Sequence, residues 1–206
     1  MAKILGAFKS GVRAGFDPLG RALVRAGVSP DVVTLIGTVG VVAASIGLVA
    51  YGRFIAATVV ITVCCLLDVL DGSMARARGQ GSRFGALLDS TMDRIADGAL
   101  FASLVWWLLV TGERLLVVVG LVCLIGGQLV SYVKARAEGL GFSCDVGIAE
   151  RMERLIIVGV GGLLSGLGLE WGLPAALWLL AVLTVITVGQ RLMHVRRQAE
   201  AAASRT

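Results

Sequence analysis

The sequence predicts an all-α polytopic membrane protein, with six transmembrane helices preceded by an N-terminal amphipathic interfacial helix. Three observations carry this. Mean hydropathy is +0.88. Charged residues make up 16% of the chain, against about 25% in soluble domains. Six apolar runs of spanning length are separated by short polar turns. At 206 residues, six helices of ~20 apolar residues use most of the chain, so no second domain is expected. The expected division is a juxtamembrane segment at 1–28, a six-helix domain at 29–197 and a cytoplasmic tail at 198–206.

Residues 3–27 interleave Lys3, Lys9, Arg13, Arg21 and Arg25 with Leu5, Phe8, Val12, Phe16, Leu19, Leu23 and Val24. That pattern fits a helix lying along an anionic membrane surface, interrupted near Pro18. An uninterrupted apolar run of the signal-peptide kind is missing there. Ser29 and Pro30 mark the start of the first span, with Thr34 one turn inside it. The spans are expected near 32–51, 54–75, 84–111, 114–134, 152–169 and 173–194. Gly159, Gly161, Gly162, Gly166 and Gly168 give the fifth a small-residue face suited to close packing or dimerisation.

Loop charge orients the spans. Lys and Arg collect in the leader, at Arg76, Arg78 and Arg83, at Lys134, Arg136, Arg151 and Arg154, and after Gln190, while the opposite loops carry Arg53 and Arg114. Both termini are therefore expected in the cytoplasm. The same loop cations account for the net charge of +5, so nucleic acid is not an expected partner. Cys64, Cys65 and Cys123 read as small apolar packing residues and Cys144 as a solvent-side thiol, since none has metal or redox spacing.

Asp68, Asp71, Asp89 and Asp93 fall inside apolar runs. Each costs ~2.5 to 3.5 kcal/mol at a helix centre on insertion scales, so something must neutralise them. Asp68 and Asp71 are spaced i, i+3 and Asp89 and Asp93 i, i+4, so each pair shares one helix face. Around the turn at Gln80 the pairs lie nine to thirteen residues away on either side. A hairpin thus brings four carboxylates to one depth, about 14 to 20 Å from the turn. All-oxygen ligation of this kind favours Mg²⁺ or Mn²⁺, and two such ions clamp the oxygens of a phosphoryl transfer. Gly72, Ala75, Gly81, Ser82 and Gly85 leave room for a ligand, and Arg76 offers a cation for phosphate.

Asp68-x-x-Asp71-Gly72-x-x-Ala75-Arg76, eight residues, Gly85, three residues, Asp89, three residues and Asp93 resembles the CDP-alcohol phosphotransferase signature without a gap or substitution. The resemblance implies a six-helix homodimer of the bacterial plasma membrane with its active site at the cytoplasmic side. It implies exchange of CMP on a CDP-alcohol, here CDP-diacylglycerol, for an acceptor alcohol. Asp68, Asp71, Asp89 and Asp93 are then the metal ligands, with Asp93 also the general base. Gly72, Ala75, Arg76, Ser82, Gly85 and Thr34 are the CDP-diacylglycerol contacts.

The strings around Ser131–Glu138 and Gly147–Arg154 are similar to the actinobacterial phosphatidylinositol phosphate synthases. That similarity implies a phosphorylated polyol acceptor, inositol 1-phosphate, with its phosphate on Lys134, Arg154 and Arg191. Glycerol 3-phosphate is the rival acceptor, and a cation transporter the rival class. Asp97 lies outside the signature and is expected to partner Arg94 or to support a ligand.

Overall fold

The computed structural model describes residues 17–77 and 82–204; within the first stretch, the side chains of Asp68, Ala75, Arg76 and Ala77 lie outside the description. The described residues are helical, with no strand. Residues 17–25 form the helical segment α1. There follow α2 (Pro30–Gly47), a 3-10 turn (Val49–Tyr51), α3 (Phe54–Ala77), α4 (Arg83–Val110), α5 (Arg114–Gly139), α6 (Arg151–Gly166) and α7 (Gly172–Ala203). Residues 3–16 of the expected amphipathic helix lie outside the described residues.

Each expected span has its helix, with edges shifted by local chemistry. Ser29 adopts extended geometry at the α2 N-cap and Pro30 opens the helix, where its missing N–H costs nothing. Thr38 and Ser45 donate their hydroxyls to Thr34 O (3.0 Å) and Val41 O (2.7 Å), so these polar groups are satisfied within the helix. α5 and α7 run past their apolar stretches, α7 as far as Ala203, with Arg196 Nε donating to Glu200 at 2.7 Å on its exposed end.

Among the described residues, four helices are long and apolar enough to cross a membrane: Pro30–Tyr51, Phe54–Met74, Arg114–Gly139 and Gly172–Ala203. α4 is 28 residues long, but Asp89, Asp93, Arg94 and Asp97 interrupt its apolar run. α6 has 16 residues, about 24 Å at 1.5 Å per residue.

The core lies between α4, α5 and α7, where Leu104, Leu108, Cys123, Leu177 and Leu180 are almost wholly buried. The outward faces of the helices are also apolar, as at Ile36, Val39, Ile125 and Val185, which suits lipid as the surrounding solvent. α2 packs against both α3 and α4, while among the described residues α3 and α4 scarcely touch. α1 closes the same end, with Leu23 and Val24 against Leu70 and Met74.

The glycine face of α6 is used within the chain. A Cβ at Gly161 would collide with that of Ala176, and one at Gly166 would lie 2.7 Å from Ile55 Cγ1. α6 is thus pressed onto α7 and α3, and these glycines are spent on close helix packing. Cys144 departs from expectation: it is fully buried. The loop between α5 and α6 folds onto α7, where Gln198 bonds the Ser143 backbone N–H (3.1 Å) and carbonyl (2.7 Å), and this removes the thiol from solvent.

Candidate active site

Thr34, Asp71, Asp89 and Asp93 lie on three helices at one end of the bundle, with Ser82 and Gly85 at the start of α4. Asp71, on α3, is 7% exposed. The Thr34 hydroxyl donates to Asp71 Oδ2, tying α2 to α3 and fixing one carboxylate oxygen. Thr34, expected as a substrate contact, therefore supports a carboxylate. Ser82 caps α4, its hydroxyl accepting the Gly85 N–H at 2.7 Å. A Cβ at Gly85 would come within 2.9 Å of Ser82 Oγ and 3.4 Å of Asp31 Oδ1. Asp31, not singled out from the sequence, thus borders the space that Gly85 keeps open. The signature's Asp68, Ala75 and Arg76 belong to α3 by backbone, but their side chains lie outside the described ones.

Asp89 and Asp93 occupy one face of α4 and are partly buried. Asp93 Oδ1 pairs with Arg151 Nη1 at 2.5 Å, and Asp93 Oδ2 lies 3.7 Å from Arg94 Nη2. One turn further, Asp97 is 5% exposed. Its Oδ1 accepts from Arg151 Nε at 3.3 Å and its Oδ2 from Arg154 Nη2 at 2.8 Å, with Arg94 Nη2 at 3.7 Å. Asp97 therefore has the expected partner, Arg94, and two closer ones from α6.

A cavity of about 920 Å³ opens beside this cluster between α4, α5, the start of α6 and α7. Lys134, Arg191, Arg94 and Arg151 are its cations. Ser90, Thr91, Gln128 and Ser131 add hydrogen-bonding groups, and Glu138 and Glu150 add carboxylates. The three expected acceptor cations are placed differently from one another. Lys134 lines the cavity, with Nζ 2.5 Å from Asp145 Oδ1 and 3.7 Å from Glu138. This hydrogen bond holds the Asp145 carboxyl below the usual carboxylate range.

Arg191 also lines the cavity but is 3% exposed. Its Nε donates to Val146 O at 2.8 Å, its Nη1 to Val130 O, and its Nη2 lies 3.6 Å from Glu150. It thereby holds the α5–α6 loop against α5 and α7. Gly147 at φ 142° leaves the loop close to this guanidinium, since a Cβ there would stand 2.7 Å from Thr187 Cγ2 and 3.4 Å from Arg191 Nε. Arg154 is 1% exposed, lies outside the cavity lining and bonds Asp97 and Ala149 O (3.4 Å). Arg94 and Arg151 take its place at the cavity. Their adjacency to Asp93 and Arg154 was the sequence signal for them.

The donor set fits a hard divalent cation. It consists of carboxylate oxygens on α3 and α4, one of them already oriented by a hydroxyl donor. Among the described residues no three acidic, histidine or cysteine side chains converge closely enough to hold a metal by themselves. The fourth expected ligand, Asp68, is outside that comparison.

These features define a helical membrane protein with acidic and cationic subsites side by side. The model of the CDP-alcohol phosphatidyltransferase family matches residues 27–189, and the chain belongs to that family. It is similar to the phosphatidylinositol phosphate synthase of Mycobacteroides abscessus, 50% identical over 182 residues, covering 87% of this chain and 83% of that one. The Streptomyces avermitilis protein of the same name is 44% identical over 197 residues, covering 92% of this chain and 81% of that one. Among solved structures, the Mycobacterium tuberculosis phosphatidylinositol phosphate synthase (PgsA1) with CDP-DAG bound superposes with a TM-score of 0.84. It is 47% identical, over 87% of this chain and 92% of that one. The same enzyme in complex with manganese and citrate gives a TM-score of 0.84, over 87% of this chain and 88% of that one.

Proposed function

We propose that this enzyme transfers the phosphatidyl group of CDP-diacylglycerol to inositol 1-phosphate, giving phosphatidylinositol phosphate and CMP. The observation that carries this is the 920 Å³ cavity, lined by an array of hydroxyl-binding groups and by four cations, of which Arg151 and Arg94 pair with Asp93. Relatives named phosphatidylinositol phosphate synthase, at 44% to 50% identity over most of the chain, support it.

Asp68, Asp71, Asp89 and Asp93 hold two Mg²⁺ or Mn²⁺ ions; a neighbour solved with manganese supports a divalent metal here. When bound, the metal supplies charge neutralisation for the pyrophosphate and for the departing CMP. Gly72, Ala75, Arg76, Ser82 and Gly85 receive the nucleotide, with Asp31 beside Gly85. Thr34 sets Asp71. Asp93 accepts the proton of the acceptor hydroxyl, whose oxygen bonds to the lipid-side phosphorus as the bond from that phosphorus to CMP breaks. Lys134, Arg151 and Arg191 face the acceptor's phosphate, and Arg154 acts from behind through Asp97.

The long α4 and short α6 complete six spans within a domain at 29–197, their charged ends facing the site. Both termini and the active site face the cytoplasm at the cell membrane. The segment at 1–28, of which 1–16 fall outside the described residues, is juxtamembrane, 198–206 is the cytoplasmic tail, and the enzyme works as a homodimer. Purified protein offered CDP-diacylglycerol with inositol 1-phosphate, free inositol or glycerol 3-phosphate should release CMP efficiently only with the first. Efficient turnover of glycerol 3-phosphate alone would overturn the acceptor.

A further inference from the structure

We infer that Asp97, one turn beyond the family signature, is the residue that positions Arg151 between the carboxylate cluster and the acceptor cavity. The inference rests on the phosphatidyl transfer proposed above. Asp97 gives one oxygen to each of two arginines from the first turn of α6: Oδ1 to Arg151 Nε at 3.3 Å and Oδ2 to Arg154 Nη2 at 2.8 Å. Arg151 then extends its Nη1 to Asp93 at 2.5 Å. One guanidinium thus bridges two carboxylates on α4 spaced i, i+4. Arg151 also lines the acceptor cavity, and on its other side borders a void of about 10 Å³ shared with Thr34, Thr38 and Cys65. No other described cation borders both spaces.

The two arginines differ in what they can do if Asp97 is altered. Arg154 is 1% exposed and has no water to replace a lost acceptor, so it must keep its partner. Arg151 has 22% side-chain exposure and a cavity to move into. An asparagine at position 97 presents one acceptor and one NH₂ group, which opposes a guanidinium. It can serve one arginine; Arg154 retains it, and Arg151 is left held by Asp93 alone. Asp97 therefore acts through Arg151 and has no direct part in the bond exchange. A cation fixed at the edge of the cavity favours a phosphorylated acceptor, while the lipid nucleotide, held by the signature residues, is unaffected.

The test uses the full-length protein in detergent with Mn²⁺, CDP-diacylglycerol and inositol 1-phosphate, comparing wild type, Asp97→Asn, Arg151→Lys and the double variant. Asp97→Asn should raise the acceptor KM about ten-fold, the equivalent of one lost charge-assisted contact, and leave the KM for CDP-diacylglycerol unchanged. The double variant should be no worse than Arg151→Lys alone, because both changes remove the same bridge. Equal loss in both KM values, or multiplying effects, would overturn the inference. Should Asp97→Asn fold poorly, Arg151→Gln gives the answer, since it leaves Arg154 paired; an unchanged acceptor KM there is equally fatal. A wild type that never releases CMP defeats the proposed transfer itself, whereas a working wild type with an indifferent Asp97→Asn defeats this inference alone.

Discussion

Asp68, Asp71, Asp89 and Asp93 come from two consecutive helices, but the cations beside them come from four: Arg94 on α4, Lys134 on α5, Arg151 and Arg154 on α6, and Arg191 on α7. The acids are placed by local spacing. The cations are placed by partners far away in sequence: Arg154 by Asp97, Arg191 by the carbonyls of Val130 and Val146, and Lys134 by Asp145. The contrast follows from solvation. A guanidinium inside an apolar bundle needs several acceptors, so much of this positive charge is already matched by the protein. Grouped carboxylates instead repel one another and fit an added divalent ion. On the proposed function one region takes a metal, while the other first holds the protein together and only secondarily holds a ligand.

Substitutions in the two regions should therefore fail in different ways. The largest effect is expected at Asp93: Asp93→Asn should lower kcat by about a thousand-fold with every acceptor, because the proposed mechanism makes this carboxylate both general base and metal ligand. Yield and thermal unfolding in detergent should stay near wild type, and a variant that unfolds instead would blur the distinction. Arg154→Met should do the reverse. Removing one partner of the buried Arg154–Asp97 pair costs about 3 to 5 kcal/mol, visible as a lowered unfolding temperature, and activity should follow the folded fraction. A stable but inactive Arg154→Met would place this arginine on the ligand.

Thr34→Val is expected to be milder. It removes one hydroxyl donor to Asp71, worth about 1 kcal/mol, and should weaken Mn²⁺ several-fold without changing the acceptor KM. The smallest effect belongs to Asp145. Its carboxyl is held low by Lys134, so whatever the pair contributes is complete above the ordinary aspartate value of about 3.9 and is lost only as pH falls through the lower folded value. Asp145→Asn should leave the pH dependence of stability and of activity unchanged above pH ~5. A shift in that range would mean that Lys134 is set by Asp145 for its task at the acceptor.

The same contrast decides what could be read from the sequence. The helices were legible because each apolar run is long and ends at a turn residue, Pro30 at the start of α2 or Ser82 before α4. The acids stood out because carboxylates at helical spacing in apolar runs have few explanations. Arg151 and Asp97 as a bridge were not legible, because their contact joins α4 to α6 across more than fifty residues and is set by helix packing. The structural hold on Arg191 was hidden for the same reason: its backbone acceptors lie 45 and 61 residues away. Cys144 was misplaced because the loop that buries it is polar and gives no sign of folding back onto α7.

The claim that the carboxylates form a metal site is tested most directly by titrating the purified protein with Mn²⁺ and following the free ion by electron paramagnetic resonance. The wild type should bind Mn²⁺ saturably, and Asp71→Asn and Asp89→Asn should each weaken binding by about ten-fold or more, as expected for loss of a charged ligand. Binding of equal strength in the wild type and both variants would contradict the account.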